Sequence, residues 1–221
     1  KVIGGHYPSP DLGLAFHAYA AGGAEDDHEG TSLDDAMARA RQGMKVMLRQ
    51  GSAWHDVVEQ ARAVLERGLD PRHFLLVTDD SHSETLVAEG HVDRVVRVAM
   101  QAGLPAMTAL QMATINTAEH FGVARDVGMI APGRWADLLL VSDLETLAID
   151  EVYARGEIVA AAGEVRAARP AFTFPPEVRK TIHLPRAVRA EDFRVQYAGA
   201  GPARVHVIGV IENQAPTRHL L

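Results

Sequence analysis

Three short polar clusters hold the residue types that could do chemistry: Gly5-His6, Asp27-His28-Glu29 and Thr78-Asp79-Asp80-Ser81-His82. Each lies just past the C-terminal end of a predicted strand. Two imidazoles and a carboxylate gathered there make a ligand set for a hard or borderline divalent metal, Zn, Mn or Fe. Such an ion lowers the pKa of its water toward neutrality and so makes a nucleophile available. Each cluster also has a plainer reading. A histidine after a strand is often a hydrogen-bonded loop residue. Asp27-His28-Glu29 could be a solvated turn whose acids favour the N-terminus of the next helix, and Thr78-Asp79-Asp80 could cap the helix after it. Recurrence at three equivalent positions is what favours a metal site.

The elements that must position these clusters alternate. Lys1–Ile3, a short run to Asp27, Lys45–Arg49 and Phe74–Thr78 read as strands, the last by its continuous apolar character. Between them come helical patterns: about Asp11 to Ala21, ending at Gly22-Gly23; a helix capped by Thr31 or Ser32 with Leu33, Ala36, Met37 and Ala40 on one face; and one carrying Trp54, Val57, Val58, Ala61, Val64 and Leu65. Val92 to Met100 and Pro105 to about Ile115 predict further helices. Four strand–helix units in series predict a parallel α/β sheet, half of the eight that close a (β/α)8 TIM-type barrel. In such a barrel the loops after the strands build the site, so distant residues share one mouth.

After Gly122 the pattern changes to short strands, Leu138–Val141, Ile149–Tyr153 and Ile158–Ala162, broken by Pro132-Gly133, Asp143 and Gly156. The expected organisation is therefore an α/β chain: residues 1–122 as the C-terminal half of a barrel, 123–169 as part of a small β-sandwich domain, and 170–221 as a linker with the start of a further domain at Val205–Ile211. Both ends read as interior to something longer.

Bulk properties narrow the partners. Across 221 residues the hydrophobic fraction is 47% and the charged fraction 23%, values that support a globular core. The net charge of −7, with scattered Lys and Arg, argues against a nucleic-acid or anionic-membrane partner. With no cysteine there are no disulfides, thiolate nucleophiles or Cys-based zinc sites, which is compatible with a reducing cytoplasm. No apolar run approaches the roughly 18 residues of a membrane span, and no signal-peptide pattern opens the chain. No phosphate-cradling glycine loop with a lysine is present, which argues against a nucleotide cofactor.

Gly5-His6 with its nearby proline, Asp27-His28-Glu29 with its histidine 22 residues beyond the first, and Val77-Thr78-Asp79-Asp80-Ser81-His82 resemble the adenine deaminases of the amidohydrolase superfamily. Met47-Leu48-Arg49-Gln50-Gly51-Ser52-Ala53 and Gln111–Glu119 add to the likeness. Ile130-Ala131-Pro132-Gly133-Arg134-Trp135-Ala136-Asp137-Leu138 is similar to the superfamily's return into its small β domain, a motif that says little about substrate. The resemblance implies that His6 and His28 are metal ligands and that Asp79 touches both metal and the nucleophilic water. It implies that Glu29 is the acid/base that moves a proton from that water to a purine ring nitrogen. His82 is implied to position the base or shuttle a proton, and Asp80 to orient His82 or stabilise its loop. The implied cofactor is a divalent metal, Mn or Fe ahead of Zn, and the implied partner a small purine base. The intact enzyme is expected to be a cytoplasmic homo-oligomer.

The superfamily's first-strand His-x-His pair and its metal-bridging carboxylate are absent, so this chain alone is expected to be inactive. Two other readings stay open: an amidohydrolase acting on a cyclic amide, imide or other aminated heterocycle, and a fragment or binding module without activity. Among the remaining residues, His17, His55, His73, His91 and His120 are expected in solvated or capping roles, and Trp54 and Phe74 in core packing. Arg49, at a strand end, could contact substrate or form a buried ion pair.

Overall fold

The computed structural model describes residues 1–168 and 170–221. Its centre is a parallel three-stranded sheet ordered β1 (Asp26–Asp27), β2 (Lys45–Arg49), β3 (Phe74–Val77), with Val46 opposite Phe74 and Asp27 opposite Val46. The expected fourth strand at Lys1–Ile3 is not formed as such. A single ladder-type bond, from the Glu25 N–H to the Ile3 carbonyl at 2.9 Å, lays this segment beside β1. Its other edge pairs with no strand among the described residues, and one bond does not make a ladder.

Helices cover the sheet: α1 (Leu14–Ala21), α2 (Leu33–Arg41), α3 (Val57–Leu65), α4 (Ser83–Ala88), α5 (Val92–Gln101), α6 (Ala106–Ala113) and α7 (Ile115–His120) complete the helical complement of this part. Val46, Leu48, Phe74 and Leu76 point into a core shared with Leu33 and Ala36 of α2, Val57 and Ala61 of α3, and Val95, Val96 and Ala99 of α5. Met47 and Leu75, on the opposite face, are buried as well. Burial on both faces is why these strands read as unbroken apolar runs rather than alternating ones.

Local chemistry sets the ends. Ser32 caps α2 through its hydroxyl, and Asp35 accepts from the Ser32 N–H in return, closing a capping box. The helix expected from Pro105 to Ile115 breaks at Thr114, whose backbone leaves the helical region, and restarts as α7. The helix expected to include Trp54 begins only at Val57, after Asp56.

The later chain forms a four-stranded antiparallel sheet in sequence order: β4 (Leu138–Asp143), β5 (Ala148–Ala154), β6 (Glu157–Ala161) and β7 (Glu164–Val165). Leu147 joins the main core and Val141 and Ile149 pack against it. The segment 170–185 holds only a short 3-10 turn and is exposed. The last predicted strand is half of a hairpin, β8 (Val207–Val210) paired with β9 (Thr217–Leu220). Among the described residues no helix is long and apolar enough to cross a membrane.

Candidate active site

The polar clusters gather at the C-terminal ends of β1 and β3 and on the segment beside β1 that carries His6. Its segment lies close against β1: the Gly5 N–H donates to Asp26 Oδ1 at 3.1 Å and the Tyr7 N–H to Asp27 Oδ2 at 2.7 Å. A Cβ on Gly5 would fall 1.9 Å from the Tyr19 hydroxyl and 2.1 Å from the Asp26 carbonyl oxygen, so only glycine permits this approach.

Asp27 organises the turn at the end of β1. Its carboxylate is fully buried and accepts from four groups: the Tyr7 N–H, the Tyr19 hydroxyl (2.7 Å), the Glu29 N–H (2.9 Å) and Arg39 Nε (2.7 Å). Arg39 is equally buried and also donates to the Tyr7 carbonyl at 3.0 Å. One buried ion pair with its lone pairs filled thus ties the His6 segment, α1, α2 and the His28-Glu29 turn together. Burial, and then the bond to Asp27, push the Tyr19 hydroxyl well above the usual phenol range. This is not the solvated turn that the plainer reading allowed.

The result is a convergence of donors. His6 Nδ1 stands 3.2 Å from His28 Nε2, and Glu29 Oε1 lies 3.2 Å from the first and 3.4 Å from the second. His6 is the open side of the group; Glu29 is nearly buried. Ligands on one ion with bonds of about 2.0–2.1 Å sit roughly 3 Å apart, so the spacing and the donor types fit a single divalent metal. Among the described residues this is the one group of three His, Asp or Glu side chains that could hold an ion.

Asp79 lies beside this group rather than within it. Its backbone is left-handed, with φ 55°, and its Oδ2 accepts from Arg49 Nη1 at 3.1 Å. The same guanidinium nitrogen is 3.3 Å from Glu29 Oε1. Arg49 is fully buried, its Nε bonds Asp56 Oδ2 at 2.9 Å, and its plane lies over the Trp54 ring at 4.8 Å. Burial alone would lower its pKa, but Asp56 first, then Glu29 and Asp79, hold it above the ordinary value. Of the two readings for Arg49, the structure displays the ion pair, shared among three carboxylates.

The loop carrying Asp79, Asp80 and His82 is clamped from the end of β2. The Ser52 N–H donates to the Asp80 carbonyl at 3.0 Å, and Ser52 Oγ accepts the His82 N–H at 2.7 Å. A Cβ on Gly51 would meet the Asp80 and Thr78 carbonyl oxygens at 2.6 and 2.9 Å, so this glycine is a close-approach position. His82 is exposed and immediately precedes α4.

Several residues of the site were silent in the sequence. Asp56 and Gln60 are buried polar side chains on α3 or its cap, and Gln60 holds the Gly30 carbonyl at 2.7 Å. His120, expected in a solvated or capping role, is instead buried against Asp26, Nε2 to Oδ2 2.6 Å. Nothing local marks it, because its partner lies 94 residues away. The signal for Arg49 was its place at a strand end.

Comparison with known proteins bears on what this arrangement serves. Residues 16–159 match the amidohydrolase family. Over its full length the chain is 61% identical to a protein called adenine deaminase from Mesorhizobium japonicum, covering 36% of it. It is 57% identical over 99% of its length to adenine deaminase 3 of Rhizobium meliloti, covering 37%, and 43% identical to an adenine deaminase of Moorella thermoacetica, again covering 37%. The chain thus spans little more than a third of the curated relatives it matches. Among solved structures, a β-aspartyl dipeptidase from Fervidobacterium islandicum superposes on 76% of this chain and 48% of its own, with a TM-score of 0.58 at 21% identity. That likeness concerns the fold.

Proposed function

Since the chain belongs to the amidohydrolase family, we propose that it supplies part of the active site of a metal-dependent hydrolase that converts adenine and water to hypoxanthine and ammonia. The observation that supports this most is the 3.2 Å approach of the His6 and His28 ring nitrogens with Glu29 Oε1 beside both. Identity of 43–61% to proteins called adenine deaminases, along the whole chain, supports the choice of substrate. In this reading residues 1–122 are the second half of a barrel, 123–169 belong to a small β domain, and 170–221 lead into a further module. Parallel strands with the polar clusters at their C-terminal ends favour it.

His6 and His28 would hold the metal, and Asp79, held by the same Arg49 nitrogen that lies beside Glu29, is the carboxylate proposed to complete the set on this chain. When bound, the ion supplies water activated for attack at neutral pH; Mn or Fe is proposed ahead of Zn. Glu29 would take a proton from the water and deliver it to the ring nitrogen next to the amino-bearing carbon. Proton gain there draws electrons out of the ring and opens the carbon to attack. Arg49 fixes Glu29 and Asp79 on one guanidinium nitrogen, so both carboxylates keep their aim. His82, exposed at the rim, is proposed to position the base or relay a proton to departing ammonia. Zero cysteines suits a cytoplasmic setting. An apolar cavity of about 510 Å³ between α6 and β4 supports burial against further protein, either the rest of the enzyme or a second copy.

The test is ammonia release from adenine by the metal-loaded, full-length enzyme. Turnover of adenine supports the reading; turnover of a cyclic amide or imide with none of adenine replaces the substrate assignment. In either case Glu29→Gln should lower kcat by about 10²–10⁴-fold while leaving the fold intact by circular dichroism.

A further inference from the structure

The turn of the C-terminal hairpin reaches the site from the far end of the sequence. The His55 N–H, just past β2, donates to the Asn213 carbonyl at 3.0 Å. Asn213 adopts φ 58°, a left-handed conformation that asparagine tolerates better than most residues. Ile211 and Gln214 are half-buried while most of the hairpin is exposed. Ala215 and Pro216 wall a recess of about 160 Å³ whose other side includes Pro10 and Glu29.

What lies under the turn is the inner end of the Arg49 network. Asp56 is fully buried; burial raises its pKa, Arg49 pulls it back, and the Gln214 amide adds a weaker pull of the same sign. Arg49 Nε occupies Asp56 Oδ2, whereas Oδ1 is buried with no partner in hydrogen-bond geometry. A buried carboxylate oxygen without a donor is costly. Gln214 follows Asn213, whose carbonyl holds the N–H of His55, the residue just before Asp56, so the docked turn brings its amide into the neighbourhood of that oxygen. We propose that Gln214 is a positioning residue: it acts on Asp56, which fixes Arg49, which in turn aims Glu29 and Asp79. The C-terminal module is thereby part of the catalytic apparatus. This inference rests on the deaminase reading only for the identity of the substrate.

The experiment uses the full-length, metal-loaded enzyme. Gln214→Leu keeps the volume and removes the amide; it should lower kcat by about 10–100-fold, as loss of an outer partner does, with KM for adenine and metal content unchanged. Asn213→Val, which opposes the left-handed turn, should reproduce the loss, and Asn213→Gly, which accepts it, should reproduce less of it. Wild-type kcat in Gln214→Leu, or a loss explained entirely by released metal or a raised KM, overturns the proposal. If the enzyme acts on a substrate other than adenine, the same kcat comparison is made with that substrate, so the two readings fail separately. Without any turnover, hydrogen exchange decides: the His55 amide should be protected in the parent and lose protection in Asn213→Val. Equal exchange in both overturns the docking and the inference with it.

Discussion

The loops after β1 and β3 occupy equivalent places and both carry acidic residues, yet they are held by different means. After β1 the lock is a side chain: the buried Asp27 carboxylate collects two backbone N–H groups, a phenol and a guanidinium. After β3 the lock is made mostly on backbone groups: the Ser52 N–H on the Asp80 carbonyl, the Ser52 hydroxyl under the His82 N–H, and the bare Cα of Gly51 against the carbonyls of Thr78 and Asp80. A buried ion pair with filled lone pairs is costly to break and leaves little intermediate ground. A clamp of neutral hydrogen bonds is worth about 1 kcal/mol apiece and yields by degrees. The two histidines stand on the first kind of support; Asp79, strained and paired to Arg49, stands on the second. Histidines on a buried ionic anchor and an Asp79 whose loop is held by neutral bonds while its carboxylate is aimed by Arg49 are a sensible division for a site that must hold an ion and still let substrate in.

Substitutions can break that contrast. The largest effect is expected from Asp27→Ala, which strands the Arg39 guanidinium in the interior. It should cost about 3–5 kcal/mol in denaturant unfolding of the full-length protein, with loss of bound metal because the His6 segment and the His28 turn both come free. Gly51→Ala forces a Cβ onto two carbonyl oxygens and should cost about 1–3 kcal/mol. It should release less metal than Asp27→Ala, because both histidines keep their support, while kcat falls through the Asp79 loop. Ser52→Ala removes one acceptor and should cost about 1 kcal/mol, seen as faster hydrogen exchange of the His82 amide. If Ser52→Ala released metal as readily as Asp27→Ala, the two loops would not differ in the way described.

Much of this plan could be read from the residues. The apolar runs located β2 and β3, and the clusters at Asp27-His28-Glu29 and Thr78–His82 fall at the ends of β1 and β3, whereas Gly5-His6 follows an extended segment that lies beside β1 without forming a strand. Ser32 was one of two candidates for the α2 cap, and the structure chooses it. What escaped the reading depended on partners rather than on periodicity. Asp27 and Asp26 are acids in a polar turn by pattern, but Tyr19, Arg39 and His120 turn them inward. α4 and α7 have six residues each, too short to show a period, and β9 is a polar four-residue strand defined by its pairing with β8. The expected ligand group of His6, His28 and Asp79 is brought together only in its two histidines, with Glu29 beside them and Asp79 across the Arg49 guanidinium.

The stacking of Trp54 on Arg49 has an optical consequence. Indole emission shifts with nearby charge, and here the cation 4.8 Å from the ring is the one that both carboxylates share. Any event that pulls Glu29 or Asp79 off the guanidinium therefore changes the field at the fluorophore. In this chain the second indole, Trp135, lies over Arg155 in another part of the molecule, so a Trp135→Phe background leaves one built-in spectroscopic gauge of the site.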